Sequence, residues 1–192
     1  MMSNAASKQT LQQRVSTAIL DGAARLFAVE GDQANMNDVA EAAGVARATV
    51  YRYFPNRQAL LDELAQVALN DAEARLAAAR IDEVAPLEGI VRAVRALVDV
   101  GDAFVLLARE RVRSEPGRFE RSVSQPLRHL FERGQASQDL RGDIAAARLT
   151  ESLFGLIVAL ITSTPQLGKE DIIATITDLF LDGARARGPR LP

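Results

Sequence analysis

Residues 35–57 read NMNDVAEAAGVARATVYRYFPNR, and the fold follows from how this stretch is punctuated. Asn35 suits a helix N-cap, with Asp38 three residues on in the manner of a capping box, so a short helix is expected over about 36–43. Gly44 interrupts it, and a second short helix is expected over about 46–52. Phe54-Pro55-Asn56 closes that one, because the residue before a proline leaves the helical region. Two short helices joined by a tight glycine turn cross steeply, as in a helix-turn-helix. Val39, Ala40 and Ala43 give the first a small apolar face, and Val45 and Val50 can anchor the second against it. Arg47, Ala48, Thr49, Tyr51 and Arg52 are then left for solvent or a partner. That set suits the major groove of double-stranded DNA: arginine can bond bidentately to guanine, alanine can touch a thymine methyl, and hydroxyls reach phosphate.

Outward from this stretch the chain reads as helix throughout, rich in alanine and leucine, with no β-type alternation. A helix over about 10–30 carries Val15, Ile19, Ala23, Leu26 and Phe27 on one stripe, and Gly31 stops it. Downstream, Pro55 opens a helix running to about Ala79 with Leu60, Leu61, Leu64, Ala65 and Ala68 inside. Pro86 begins an amphipathic helix with Ile90, Val91, Val94, Leu97 and Val98, and Gly101-Asp102 separates it from a helix over 103–113. After a turn at Pro116-Gly117 come helices at about 119–135, 143–162 and 169–186, the last two joined through Pro165 and Gly168. The expectation is an all-α chain of about nine helices: an arm over 1–9 that frays, a helix-turn-helix head over 10–55 and a helical body over 56–192.

Composition agrees and removes alternatives. Of 192 residues, 48% are apolar and 25% charged, ordinary for a globular chain. There is no cysteine and one histidine, His129, which lies off its helix's apolar stripe; neither disulfides nor thiolate or imidazole-rich metal sites are expected. No cofactor is expected. An enzyme in a helical bundle fails on materials, with no phosphate loop and no paired carboxylates on an apolar face. The first ten residues, MMSNAASKQT, hold no signal-peptide core, no stretch approaches about 18 uninterrupted apolar residues, so no membrane span is expected, and a reducing cytoplasm fits the cysteine count. The net charge of −2 conceals a net +1 in residues 1–60, with three arginines and no acid over 44–58.

The head's residues resemble the TetR family of regulators. Asp38-Val39-Ala40, Ala43-Gly44-Val45-Ala46, Thr49-Val50-Tyr51-Arg52-Tyr53-Phe54, Asn56-Arg57 and Leu60-Leu61 follow that family's signature, and Ile19–Phe27 with Gly31 resembles its first helix. The resemblance is close over about 15–65. It implies that Arg47 and Ala48 face bases, that Thr49 and Tyr51 hold phosphates with Arg52 and Tyr53 nearby, and that Asn35 presents the N-terminus of its helix to a phosphate. Arg57, in the family's lysine position, would clamp the DNA backbone. Three departures stand out: Ala46 where serine usually caps the recognition helix, Ala18 and Ser16 where arginine usually precedes Ile19, and Asp32 in place of an aromatic residue.

For the body, the resemblance implies a small-molecule effector and a homodimer on a palindromic operator. Val94, Leu97, Val98, Phe104, Leu127, Leu130, Phe131 and Phe154 are the expected lining of a mainly apolar effector pocket, from helix phase. In Leu153–Ile161 eight of nine residues are apolar, so both faces of that helix need cover. Gly155 and Ala159 on it, with Ile172, Ile176, Leu179 and Gly183 on the last helix, are the expected dimer interface. An adaptor that dimerises on DNA without sensing anything, and an activator, are the alternatives; no membrane partner is expected.

Overall fold

A computed structural model describes residues 2–109, 117–164 and 166–186. The described residues form nine α-helices: α1 (Met2–Glu30), α2 (Met36–Ala42), α3 (Arg47–Tyr53), α4 (Arg57–Ala79), α5 (Pro86–Val100), α6 (Asp102–Arg109), α7 (Gln125–Ala136), α8 (Ala146–Ser163) and α9 (Lys169–Ala184). The all-α class is as the sequence indicates, and the boundaries of α2 to α5 lie within a residue or two of those expected. The helix starts at Met2, through the stretch read as an arm: residues 2–13 contain no glycine or proline to interrupt it. The far part of the expected 103–113 helix and Pro116 of the expected turn lie outside the described residues, as does Pro165.

Stops and starts follow local chemistry. Gly31 adopts φ +58° directly after α1, and Gly44 φ +65° between α2 and α3, the left-handed region open to glycine at little cost. Pro86 occupies the first turn of α5, where a missing N–H costs nothing. The segment before α7 is wound as a π-type turn over 120–124. Pro126 gives the physical reason: it cannot donate back to residue 122, and its ring displaces that carbonyl.

Two apolar cores result, and two helices share them. Ile19, Ala23, Phe27, Val39, Val50, Phe54, Leu60, Leu61 and Leu64 form the first, around α1 to α3 and the start of α4. Leu69, Ala72 and Leu76, further along α4, belong to the second, with Ile90, Leu97, Phe104, Leu127, Phe131, Phe154 and Ile176. α4 therefore runs from one core into the other. α6 does the same across its width, sending Leu106 into the first core and Phe104 and Leu107 into the second.

α8 and α9 close the second core with one face each. On α8, Leu153, Phe154 and Ile157 are buried while Gly155 and Ala159 are exposed. α8 is also long and apolar enough, by composition alone, to cross a membrane, and only 33% of it is buried in the protomer. α9 is pinned to α5 by Arg95, whose guanidinium reaches both carboxylate oxygens of Glu170 at 2.6 and 2.8 Å, and by Lys169 on Asp99 at 2.8 Å. The Arg95 hydrogen bond holds the Glu170 carboxyl below its ordinary pKa.

Candidate nucleic-acid interface

The head is organised around Val50, the buried residue of α3. Covering it fixes the rotation of a helix only seven residues long, for about 1.5–3 kcal/mol of burial. With Val50 inward, Arg47, Ala48 and Arg52 are exposed, Tyr51 is 40% exposed, and Thr49 and Tyr53 are half-buried. These six candidates therefore lie on one short helix, the first four turned outward and Tyr53 partly packed on the first core.

Two of the arginines lie over tyrosine rings. The Arg47 guanidinium is 5.7 Å from the Tyr51 ring centroid, and that of Arg52 is 5.4 Å from Tyr53. Such contacts contribute about 0.5–1 kcal/mol at exposed sites, and they orient the guanidinium fork, which bonds guanine only when its plane is correctly set. Ala46 stands at the N-cap of α3 and supplies no side-chain cap, as its lack of a hydroxyl requires.

The neighbouring helix is firmly started. The Asn35 side chain accepts from the backbone N–H groups of Asn37 (2.8 Å) and Asp38 (3.4 Å), and the Asp38 carboxylate accepts from Asn35 N–H at 2.9 Å. The capping box is thus complete, and Asn35 is exposed at the end of α2. α2 is held against α1 at Gly22, where an added Cβ would meet the Ala43 backbone nitrogen at 2.9 Å.

Arg57 differs from the expectation. Its Nε donates to the Ala34 carbonyl at 3.3 Å and its Nη2 to the Gly31 carbonyl at 3.2 Å, with the guanidinium 4.9 Å from the Phe27 ring centroid. It is half-buried and turned into the head, because both carbonyls of the α1–α2 turn open towards the start of α4.

The expected effector and dimer residues separate differently. All eight expected lining residues are buried in the second core, so the structure brings them together. Two surface clefts lie elsewhere: about 390 Å³ bordered by Leu76, Arg80, Ile81, Arg121 and Pro126, and about 350 Å³ between α4 and α5, bordered by Arg75, Ala79, Arg92 and Arg95. Of the expected dimer residues, Gly155, Ala159, Leu179 and Gly183 are exposed, and a Cβ on either glycine would meet open space. Ile172 and Ile176 must be removed from that set. They are 9% and 0% exposed and fill the protomer's own core, because α9 turns this edge of its stripe towards α5 and α8.

Comparison with known proteins places the head. The family model described as bacterial regulatory proteins, tetR family, matches residues 19–64. The transcriptional repressor KstR2 of Rhodococcus jostii is 30% identical over 101 residues, half of each chain, so this chain spans about half the length of that relative. The repressor Rv1474c of Mycobacterium tuberculosis is 29% identical over 184 residues, covering 87% of this chain and 91% of its own. Among solved structures, the TetR-like regulator LfrR of Mycobacterium smegmatis, in complex with proflavine, superposes with a TM-score of 0.67 at 22% identity, covering 90% of this chain and 97% of the other.

Proposed function

We propose that this chain, whose head matches the tetR family model over residues 19–64, is a dimeric, DNA-binding repressor of transcription, released from a palindromic operator by a small, mainly apolar effector. The observation that carries the reading is α3: a short helix fixed by one buried valine and presenting Arg47, Ala48, Tyr51 and Arg52 outward together. In the proposed division of labour the head, 10–55, reads DNA and the body, 56–192, senses and dimerises.

Two uncovered faces support the dimer. Gly155 and Ala159 on α8 and Leu179 and Gly183 on α9 form an exposed strip of small and apolar residues, flanked by the half-buried Leu156, Val158 and Leu160. A second copy supplies matching helices, giving an isologous four-helix contact and a twofold operator. The same uncovered face accounts for the apolarity of α8 without a membrane.

α6 supports the switch. Phe104 packs tilted against Phe154 in the body core, with ring centroids 5.8 Å apart, and Leu106, two residues along, sits in the head core. A molecule that enters among Phe104, Leu127 and Phe154 must displace Phe104, and a rigid helix carries that displacement to Leu106. The effect is bounded by the effector's differential affinity for the two positions of the head. LfrR, of the same fold, was solved with proflavine, which supports flat aromatic molecules as a class to test.

The test is selection of duplexes from a randomised library by the wild-type protein, followed by a screen of apolar compounds for release. An enriched inverted repeat, released by at least one compound that also raises the melting temperature, is expected. Enrichment without a repeat removes the twofold reading, and no enrichment at all removes DNA recognition.

A further inference from the structure

Arg57 opens α4, and we propose that it is a positioning residue of the head, locking the α1–α2 turn to the start of α4, and not a phosphate clamp. At least three contacts meet on this side chain. The Gly31 carbonyl opens the α1–α2 turn and the Ala34 carbonyl closes it, directly before the Asn35 cap of α2. The Phe27 ring beneath the guanidinium belongs to the last turns of α1 and is buried in the head core. Arg57 thus bridges the end of α1, both ends of the turn, and the first residue of α4.

The chemistry suits arginine in particular. A planar fork can donate along two directions while its face lies on a ring; a lysine ammonium is a point charge and cannot do both. Backbone carbonyls in a partly covered turn need partners, and Arg57 supplies them for two. The location is otherwise poor for a cation, since the N-terminus of α4 carries the positive end of the helix dipole. The contacts to Gly31, Ala34 and Phe27 offset that repulsion. A phosphate approaching Arg57 would have to compete with them. The turn that Arg57 holds sets where α2 begins, and α2 is the helix against which α3 is laid.

The functional arm of the test rests on the DNA-binding reading; the stability arm does not. Arg57→Lys and Arg57→Ala are compared with wild type by thermal melting without DNA. Their affinities are then measured well below every melting point, for the duplex that wild type selects and for a random duplex of equal length, over a range of salt. Both variants are expected to melt about 4–8 °C lower. Both should bind the selected duplex about tenfold more weakly, with less than about a twofold change on the random one and an unchanged salt slope. Arg57→Lys matching wild type would overturn the proposal. So would Arg57→Ala weakening both duplexes alike with a salt slope lower by about one, the signature of a lost phosphate contact. Lower melting with intact affinity would leave Arg57 a stabiliser that positions nothing. If wild type selects no duplex, the DNA reading fails, and unchanged melting in both variants would still overturn the lock.

Discussion

If the proposed dimer forms, Leu179→Ala should separate it without unfolding the chain, and the structure sets the size of the effect. Leu179 is 57% exposed in the protomer, on the outer face of α9. The substitution removes three carbons, each worth about 0.8 kcal/mol when buried, and a little over half of that burial is still to be gained from a partner. This amounts to about 1.4 kcal/mol per copy, and a twofold interface loses it from both copies. The dimer dissociation constant should therefore rise about 100-fold. Sedimentation equilibrium across a micromolar series reads this directly. Ile176→Ala is the control: Ile176 is fully buried in the protomer core, so it should cost about 2–5 kcal/mol of folding stability instead. Melts must be compared at one chain concentration, because the proposed dimerisation would itself contribute to stability. A wild-type monomer at micromolar concentration, or an unchanged dissociation constant for Leu179→Ala, would refute the placement of the interface on this face.

Arg47→Ala should weaken the selected duplex by about 1–3 kcal/mol and relax the preference at one base pair per half-site, read by binding to single-substitution duplexes; an unchanged preference would remove Arg47 from base reading. Gly22→Ala should destabilise the head although alanine favours helix by about 0.5–1 kcal/mol. Its Cβ would lie 2.9 Å from the Ala43 nitrogen and 3.0 Å from the Ala42 carbonyl carbon, backbone atoms that cannot rotate away. Overpacking of that kind costs about 1–3 kcal/mol, so a net loss of about 1–2 is expected in denaturant titration, and a variant as stable as wild type would mean that α1 and α2 separate freely.

The sequence by itself determined what is local. The Asn35–Asp38 capping box, the left-handed glycines at 31 and 44, and the break at Phe54-Pro55 all act within four or five residues, and each is where the sequence predicts it. The rotation of α3 was legible for the same reason: Val50 is the apolar anchor in a seven-residue helix, so its neighbours had to face outward. Helix phase, however, gives direction only about a helix's own axis. Ile176 and Leu179 stand three residues apart on one apolar stripe, and the stripe says that something covers it, not whether the cover is this chain or a copy. The packing of α9 on α5 and α8 decided that, turning Ile176 inward and Leu179 out. The contacts of Arg57 were hidden for the same cause: its carbonyl partners lie 23 and 26 residues back along the chain. α6 is the further case, since its periodicity marks an apolar helix but not that Leu106 and Phe104 enter different cores. Which surface a side chain meets across the chain is a non-local quantity, settled when the helices close on one another, because burial is shared among elements that the sequence holds far apart.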